Sequence, residues 1–582
     1  MIEVFVAPAH ARHAVATNPA RRVEHWLLQP QRGATMPKMT GHRYFAEAMR
    51  GYGVTHLFYV NSIVGPAMLE MDKVGVKRVV AHGEKAAAYM ADGYARACKR
   101  PGVCLSQDIG TTNLMAGMRD PHMASIPVIA ITGGQNDQPR YRHAYQNAED
   151  FRGWDTVTKA NYSVDTPKRF PDLLRQAFRD ATSGTPGPVH LELRGNAGQS
   201  LDREDDYDLT FEERFVHYPA FRSEAEPAAV RAAVKALRDA AKPIIVVGGG
   251  AVSSDAGPEL IRLAEKLSIP VATSLHAKAL VPDDHPLNVG VPGSYSRWCA
   301  NQAIAAADLV FFIGSHTGGQ VTNGWQIPKI GTPTIQLDID PRELGRNYPN
   351  TVSLNGDAKL TLAQLAEAAG NEPARRAEWL EQVRCYVADY WAECEPLRNS
   401  DAMPLRPERI CKELEQWLPA QSTLVVDTFH AAIWTAQMTR LLKPGQRYIR
   451  CGGSLGWAFP ATIGVKAALG DQPVIGFCGD AGFYYHMAEL ETAARCGLNL
   501  VMIVNNNHSG GVSETARFHD GVNFAKVADS MGCAGFRVER GADIQPTLDQ
   551  ALAAGKPALV EILSDPEIRA KRGWVPPAVS GE

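Results

Sequence analysis

The sequence predicts an α/β protein built from three doubly wound domains, each around a parallel sheet, and three observations carry that reading. Short apolar runs alternate with helical stretches, as in Val474–Cys478, a helix over Met487–Cys496 stopped by Gly497, and Leu498–Val504. Two further runs, Lys242–Gly250 and Ile335–Pro341, end in a glycine turn and in acidic residues. At 582 residues the chain has length for three or four domains of ordinary size.

Composition narrows the function classes. Hydrophobic residues at 45% and charged residues at 21% are the balance of a soluble globular protein. A formal net charge of −3 points to no nucleic-acid or membrane partner. No apolar run reaches the roughly 20 residues that span a bilayer. The ten cysteines form no CxxC pair, which argues against zinc and disulfide frameworks and fits a reducing cytoplasm.

Taken in order, residues 1–35 lack periodicity and are expected to be a disordered extension, or to precede the true start at Met36 or Met39. A first domain spans 36–195, with a helix over Gly41–Tyr52 and strands at Thr55–Val60, Arg78–Ala81 and Ile126–Gly133. Glu84 stands at the end of a strand and the start of an Ala-rich helix, where it also suits the helix dipole. A linker, 196–224, leads to a middle domain over 225–370 whose two runs read as Rossmann-like, although the full Gly-x-Gly-x-x-Gly pattern is missing. A charged helical linker, 371–400, precedes the third domain, 401–575. This has strands at Ser422–Asp427 and Ala558–Ile562 and a helix near Phe524–Met531.

The chemistry concentrates in the third domain. The strand ending at Cys478 is followed by Gly479-Asp480-Ala481, and the next by Asn505-Asn506-Asn507. Ligands of open α/β sheets bind at this carboxyl edge. A carboxylate and an amide there are hard oxygen donors suited to Mg²⁺ or Ca²⁺, with ligand phosphates completing the shell. An ordinary βαβ unit with an Asn-rich turn has the same local pattern.

The spacing resembles the thiamin diphosphate motif, which runs from Gly-Asp-Gly to a pair of Asn residues. Asn507 stands 27 residues after Asp480, and Ala481 replaces the motif's last Gly. By the resemblance Asp480, Asn507 and Ser509, the last often through its carbonyl, hold Mg²⁺. Residues 82–105 are similar to the family's glutamate segment: Ala87, Ala91, Gly93, Ala95 and Arg96 match in order after Glu84, while Gly83 replaces a His. Gly110 and Asn113 match the substrate-facing loop, where Asp108 departs, and Tyr145-Gln146 resembles an aromatic-Gln pair near substrate. Gly452–Gly464 resembles the segment that bends the cofactor. That match implies that Gly453 offers its carbonyl to the aminopyrimidine and that Leu455 is the wedge between the rings. Thr428 and His430 occupy the place where relatives touch the diphosphate.

The chain is thus similar, over residues 40–570, to the acetolactate synthase, pyruvate oxidase and benzoylformate decarboxylase group. The resemblance implies a pyrimidine-binding first domain, a diphosphate-binding third domain, thiamin diphosphate and Mg²⁺, and a 2-keto acid or related carbonyl substrate. It also implies a homodimer or homotetramer with Glu84 and Asp480 of one site on different chains. Gly314-Ser315-His316 lacks the Arg of flavin-binding relatives, so FAD is open but disfavoured against ADP or an empty middle domain. Gly510–Ala516 lacks the Trp that acetolactate synthases carry after the metal loop. The expectation is therefore a carboligase or decarboxylase resembling acetolactate synthase. A simple 2-keto acid decarboxylase, a 2-hydroxyacyl lyase, a flavin-dependent oxidase and a non-catalytic relative are the alternatives.

Overall fold

Strand order divides the molecule. The computed structural model describes residues 38–136, 142–146, 148, 151–371, 376–511, 513–571 and 573–574, and the expectation for residues 1–35 lies outside them. After β1 (Lys38–Thr40), the first sheet takes β2 (His56–Tyr59), β3 (Lys77–Val80), β4 (Gly102–Ser106), β5 (Val128–Gly134), β6 (Ala160–Val164) and β7 (Val189–Arg194). Following β8 (Glu204–Asp206), the middle sheet takes β9 (Pro243–Val247), β10 (Val271–Thr273), β11 (Asn288–Gly290), β12 (Leu309–Ile313), β13 (Thr334–Asp338) and β14 (Val352–Asn355). The third takes β15 (Thr423–Val426), β16 (Arg447–Arg450), β17 (Val474–Gly479), β18 (Val501–Asn506), β19 (Ala534–Val538) and β20 (Ala558–Leu563).

The first sheet runs β3-β2-β4-β5-β7-β6 and the third β16-β15-β17-β18-β20-β19, the same permutation; the middle sheet runs β11-β10-β9-β12-β13-β14. The ladders within all three sheets are parallel. Helices cover both faces of such sheets, which is why their strands are unbroken apolar runs such as PIIVV in β9 and LVFFI in β12, buried throughout. Among the boundaries that differ from the sequence expectation, one has a clear local cause. The strand expected from Leu498 starts at Val501, because the amide of Leu498 bonds back to Ala493 O at 3.0 Å and Gly497 adopts φ +61°. These residues close the helix Glu489–Arg495 instead of opening the strand.

Residues 196–224 are laid onto the first domain. There β8 pairs antiparallel with β1, and Leu201, Tyr207 and Phe215 join that domain's core. Tyr207 stacks on Tyr44 with ring centroids 5.0 Å apart.

The first and third domains share one core. The helix Glu84–Cys98 packs on Ala458–Leu469 at backbone distance: a β-carbon at Gly93 would lie 2.3 Å from Ala461 O, and one at Gly464 would lie 1.8 Å from Met90 O. Buried charge ties the same seam. Arg96 pairs with Asp92 at 2.8 Å and Asp120 at 2.9 Å and donates to Arg450 O, while Trp457 Nε1 donates to Asp92 at 2.8 Å.

Candidate active site

The third sheet reverses its strand order between β15 and β17, and in doubly wound sheets the crevice at such a point receives ligands. Asp427 and Thr428 follow β15, Gly479 and Asp480 end β17 and open the next helix, and Asn505–Asn507 end β18. A cavity of about 780 Å³ opens above these ends. Thr428, His430, Gly453 and Leu455 line it, together with Gly479, Asp480, Ala481, Asn507 and Ser509. All nine positions expected to bind cofactor or metal are thus brought together from four separate stretches of chain, while Glu84 is not among them.

Asp480 is buried and begins the short helix Asp480–Tyr484. Its carboxylate accepts from Ala481 N at 2.7 Å and Ser509 N at 3.0 Å. Burial nevertheless pushes its pKa up to about 6, against the pull of the amides of Ala481, Ser509, Asn507 and His508. Asn507 Oδ1 accepts from Ser509 N at 3.2 Å. Its neighbour Asn506 is turned into the fold, donating to Glu561 at 2.7 Å, and Asn505 keeps a buried Oδ1 without a partner. The three consecutive asparagines therefore have different roles, and only Asn505 and Asn507 reach the cavity.

This donor set fits a divalent cation that carries a diphosphate. The Asp480 carboxylate is buried with amides but no cationic side chain against it. Among the described residues no group of three or more His, Cys, Asp or Glu could hold a metal unaided. One carboxylate, one amide oxygen and a carbonyl leave positions for water and phosphate oxygens, the usual Mg²⁺ arrangement.

The loop bearing Gly453 and Leu455 hangs from the first domain. Asp120, on the helix Thr111–Ala124, accepts from the amides of Gly452 at 2.7 Å, Gly453 at 3.2 Å and Ser454 at 3.0 Å. Asp427 accepts from Gly456 N at 3.0 Å and from Thr428 N at 2.7 Å, and burial pushes its carboxyl up to about 7. Gly456 adopts φ +82° with Tyr485 Cβ 2.6 Å from where its own β-carbon would be, so no larger residue holds Leu455 in this place. Sequence reasoning missed both acids. Asp427 carried a signal, since it ends a strand as Asp480 does; Asp120 lies within a helix and carried none.

Glu84 lies elsewhere. It is the first residue of its helix, half-buried, with Oε2 accepting from Asn113 Nδ2 at 3.3 Å and Oε1 close against Gly110, where a β-carbon would be 2.5 Å away. It is not part of the lining of the cavity over Asp480 in its own chain. Asp108 and Gln146 are also outside that lining: Asp108 accepts from Ala148 N at 3.3 Å, and Gln146 Oε1 from Asn196 Nδ2 at 3.1 Å.

In the middle domain the order reverses between β9 and β12, and a cavity of about 360 Å³ opens there against Gly248–Gly250, Gly314 and His316. Asp338 ends β13 in the same cavity, its carboxyl pushed up to about 6 by burial.

Comparison with known proteins agrees with this architecture. Models of the thiamine pyrophosphate enzyme N-terminal TPP binding domain, central domain and C-terminal TPP binding domain match residues 39–153, 230–365 and 428–562. The chain belongs to the thiamine pyrophosphate enzyme family, as a thiamin diphosphate-dependent enzyme of the carboligase and decarboxylase kind. Within it the chain is acetolactate synthase-like. It is 30% identical to a probable acetolactate synthase large subunit of Methanocaldococcus jannaschii, over 91% of this chain and 92% of that protein. The acetolactate synthase large subunit of Corynebacterium glutamicum is 29% identical over 89% and 86% of the two chains. A glyoxylate carboligase of Escherichia coli O157:H7 is 29% identical over 88% and 91%.

Proposed function

We propose that this enzyme decarboxylates a 2-keto acid and joins the remaining fragment to a second carbonyl compound, with thiamin diphosphate held through Mg²⁺. The observation that carries the reading is the convergence of Asp480, Asn507 and Ser509 with Gly453 and Leu455 around one cavity. Similar proteins named as acetolactate synthase and glyoxylate carboligase support carboligation over simple decarboxylation.

In this reading Asp480 and Asn507 supply side-chain oxygens to the cation and Ser509 its carbonyl. Thr428 and the Gly479–Ala481 turn flank the diphosphate. The Gly453 carbonyl and the Leu455 side chain set the cofactor's bend. When bound, the cofactor supplies the electron sink that lets the bond to CO₂ break. Glu84 holds and shares a proton with the cofactor's pyrimidine. Its place outside the cavity of its own chain supports a site completed by a second copy, hence a homodimer or a pair of dimers. Asp108 and Gln146 are assigned to the substrate side of that shared site.

A second reading, a decarboxylase releasing an aldehyde, has one observation in its favour: His430 lines the cavity beside Thr428, where an imidazole can deliver a proton. Incubation with a panel of 2-keto acids, with CO₂ and organic products identified, separates the two. A hydroxyketone product supports carboligation; an aldehyde alone supports the second reading.

A further inference from the structure

Where the three domains meet, a separate cavity of about 200 Å³ has five cationic residues in its lining. Arg96 and Lys99 come from the first domain, Lys278 from the middle domain, and Arg447 and Arg450 from the third. No Asp or Glu is among its lining residues.

Acids behind the wall answer only part of this charge. Arg96 is paired with Asp92 and Asp120. Lys278 has Asp283 at 3.0 Å, an acid shared with Arg297 at 2.8 Å, and Lys99 has only Asp255, at 3.7 Å. Arg447 and Arg450 form no ion pair among the described residues. Arg447 Nη2 donates to Ala97 O at 3.0 Å. Arg450 is 2% exposed; it donates to Gln320 Oε1 at 3.1 Å and Thr428 Oγ1 at 3.3 Å, and its Nε has no hydrogen-bond partner. His276 lines the same cavity, but burial and the neighbouring arginines keep it neutral, so it neither adds nor cancels charge. A buried guanidinium without a counter-charge is costly. One such buried guanidinium, Arg450, with the half-buried Arg447 and a loosely paired lysine beside it, defines a place for a negative charge.

We propose that this cavity is a phosphate site which ties the three domains together. Guanidinium forks and an ammonium group are the donors that suit a phosphate dianion. The cavity shares Gly249, Ser253 and His276 with the middle-domain cavity. The phosphate is therefore either free in solution or the end of a ligand whose body fills that neighbouring space.

Thermal melting tests this on the enzyme with saturating thiamin diphosphate and Mg²⁺, so that phosphate cannot act at the diphosphate seat. Sodium phosphate, ADP and, at matched ionic strength, sodium chloride are compared. Phosphate is expected to raise the melting temperature saturably beyond chloride, as a ligand of the folded state must. A larger rise with ADP marks a ligand spanning both cavities, and an equal or smaller one marks free phosphate. Arg447→Gln and Lys99→Met should each lose most of the phosphate increment, yet melt in chloride at least as high as the unaltered enzyme, because each removes a crowded cation. If one variant fails to fold, the other decides. No increment with phosphate or ADP in the unaltered enzyme, or an increment undiminished in the variants, overturns the proposal.

Discussion

The amide of Ser509 donates to the carboxylate of Asp480 at 3.0 Å, joining two residues 29 apart in the chain. Through this bond the loop after β18 is held against the end of β17, so the proposed metal donors are in place before any cation arrives. The same amide lies 3.2 Å from Asn507 Oδ1, which fixes the amide side chain beside the carboxylate. Pre-positioned donors of this kind cost little ordering when the ligand binds.

Glu84→Gln is expected to cut turnover by about 10²–10⁴-fold with the fold intact. A Gln keeps the volume and the contact with Asn113 but cannot share a proton with a ring nitrogen. Were Glu84 only a helix-dipole residue, the variant would lose less than about 1 kcal/mol of stability and stay active. Turnover measured beside thermal melting separates the two.

Gly464→Ala is expected to destabilise the joined first and third domains by about 3 kcal/mol or more. Its β-carbon would lie 1.8 Å from Met90 O, on a helix backbone that has no room to retreat. Urea unfolding checks this; a midpoint unchanged from the parent would mean that the helices separate easily.

The contribution of three buried histidines to stability should fall as the pH drops below about 6.5, while the raised carboxyls of Asp427, Asp480 and Asp338 act in the opposite direction over the same range. Burial lowers the pKa of His56 and His486 to about 4. It lowers His190, stacked on Trp154 at 3.8 Å, well below the ordinary value. Between those values and 6.5 the unfolded chain binds protons that the folded chain refuses, so unfolding gains as pH falls. For His56 the full effect is about 3 kcal/mol. The difference in melting temperature between parent and His56→Gln isolates the histidine: it should shift in favour of the variant as the pH falls from 6.5 toward 4; parallel profiles for parent and variant would contradict the assignment.

Purified protein is expected to show no flavin absorbance, since His316 stands where flavin-binding relatives carry Arg. A visible flavin band in the spectrum would reopen the oxidase reading.

Much of the architecture was legible because strands covered on both faces are unbroken apolar runs; VIGFC and VMIV mark β17 and β18 without ambiguity. Asp480 and Asn507 were legible because strand ends place chemistry at known positions. Asp120 was not, since its three amide partners lie 332 to 334 residues away and only the docking of two domains brings them to it. Arg450 ends a strand, and nothing local distinguishes it from an exposed arginine; its burial comes from three domains closing over it. Glu84 was legible as a helix start, but its separation from the cavity of its own chain depends on how whole domains are placed.

Titration calorimetry of thiamin diphosphate in the presence of Mg²⁺ tests the central claim most directly, comparing the parent enzyme with Asp480→Ala. Saturable binding is predicted for the parent, abolished by EDTA and lost in the variant, because the buried carboxylate anchors the cation that carries the diphosphate. Unchanged affinity in Asp480→Ala, or binding indifferent to EDTA, would contradict the account.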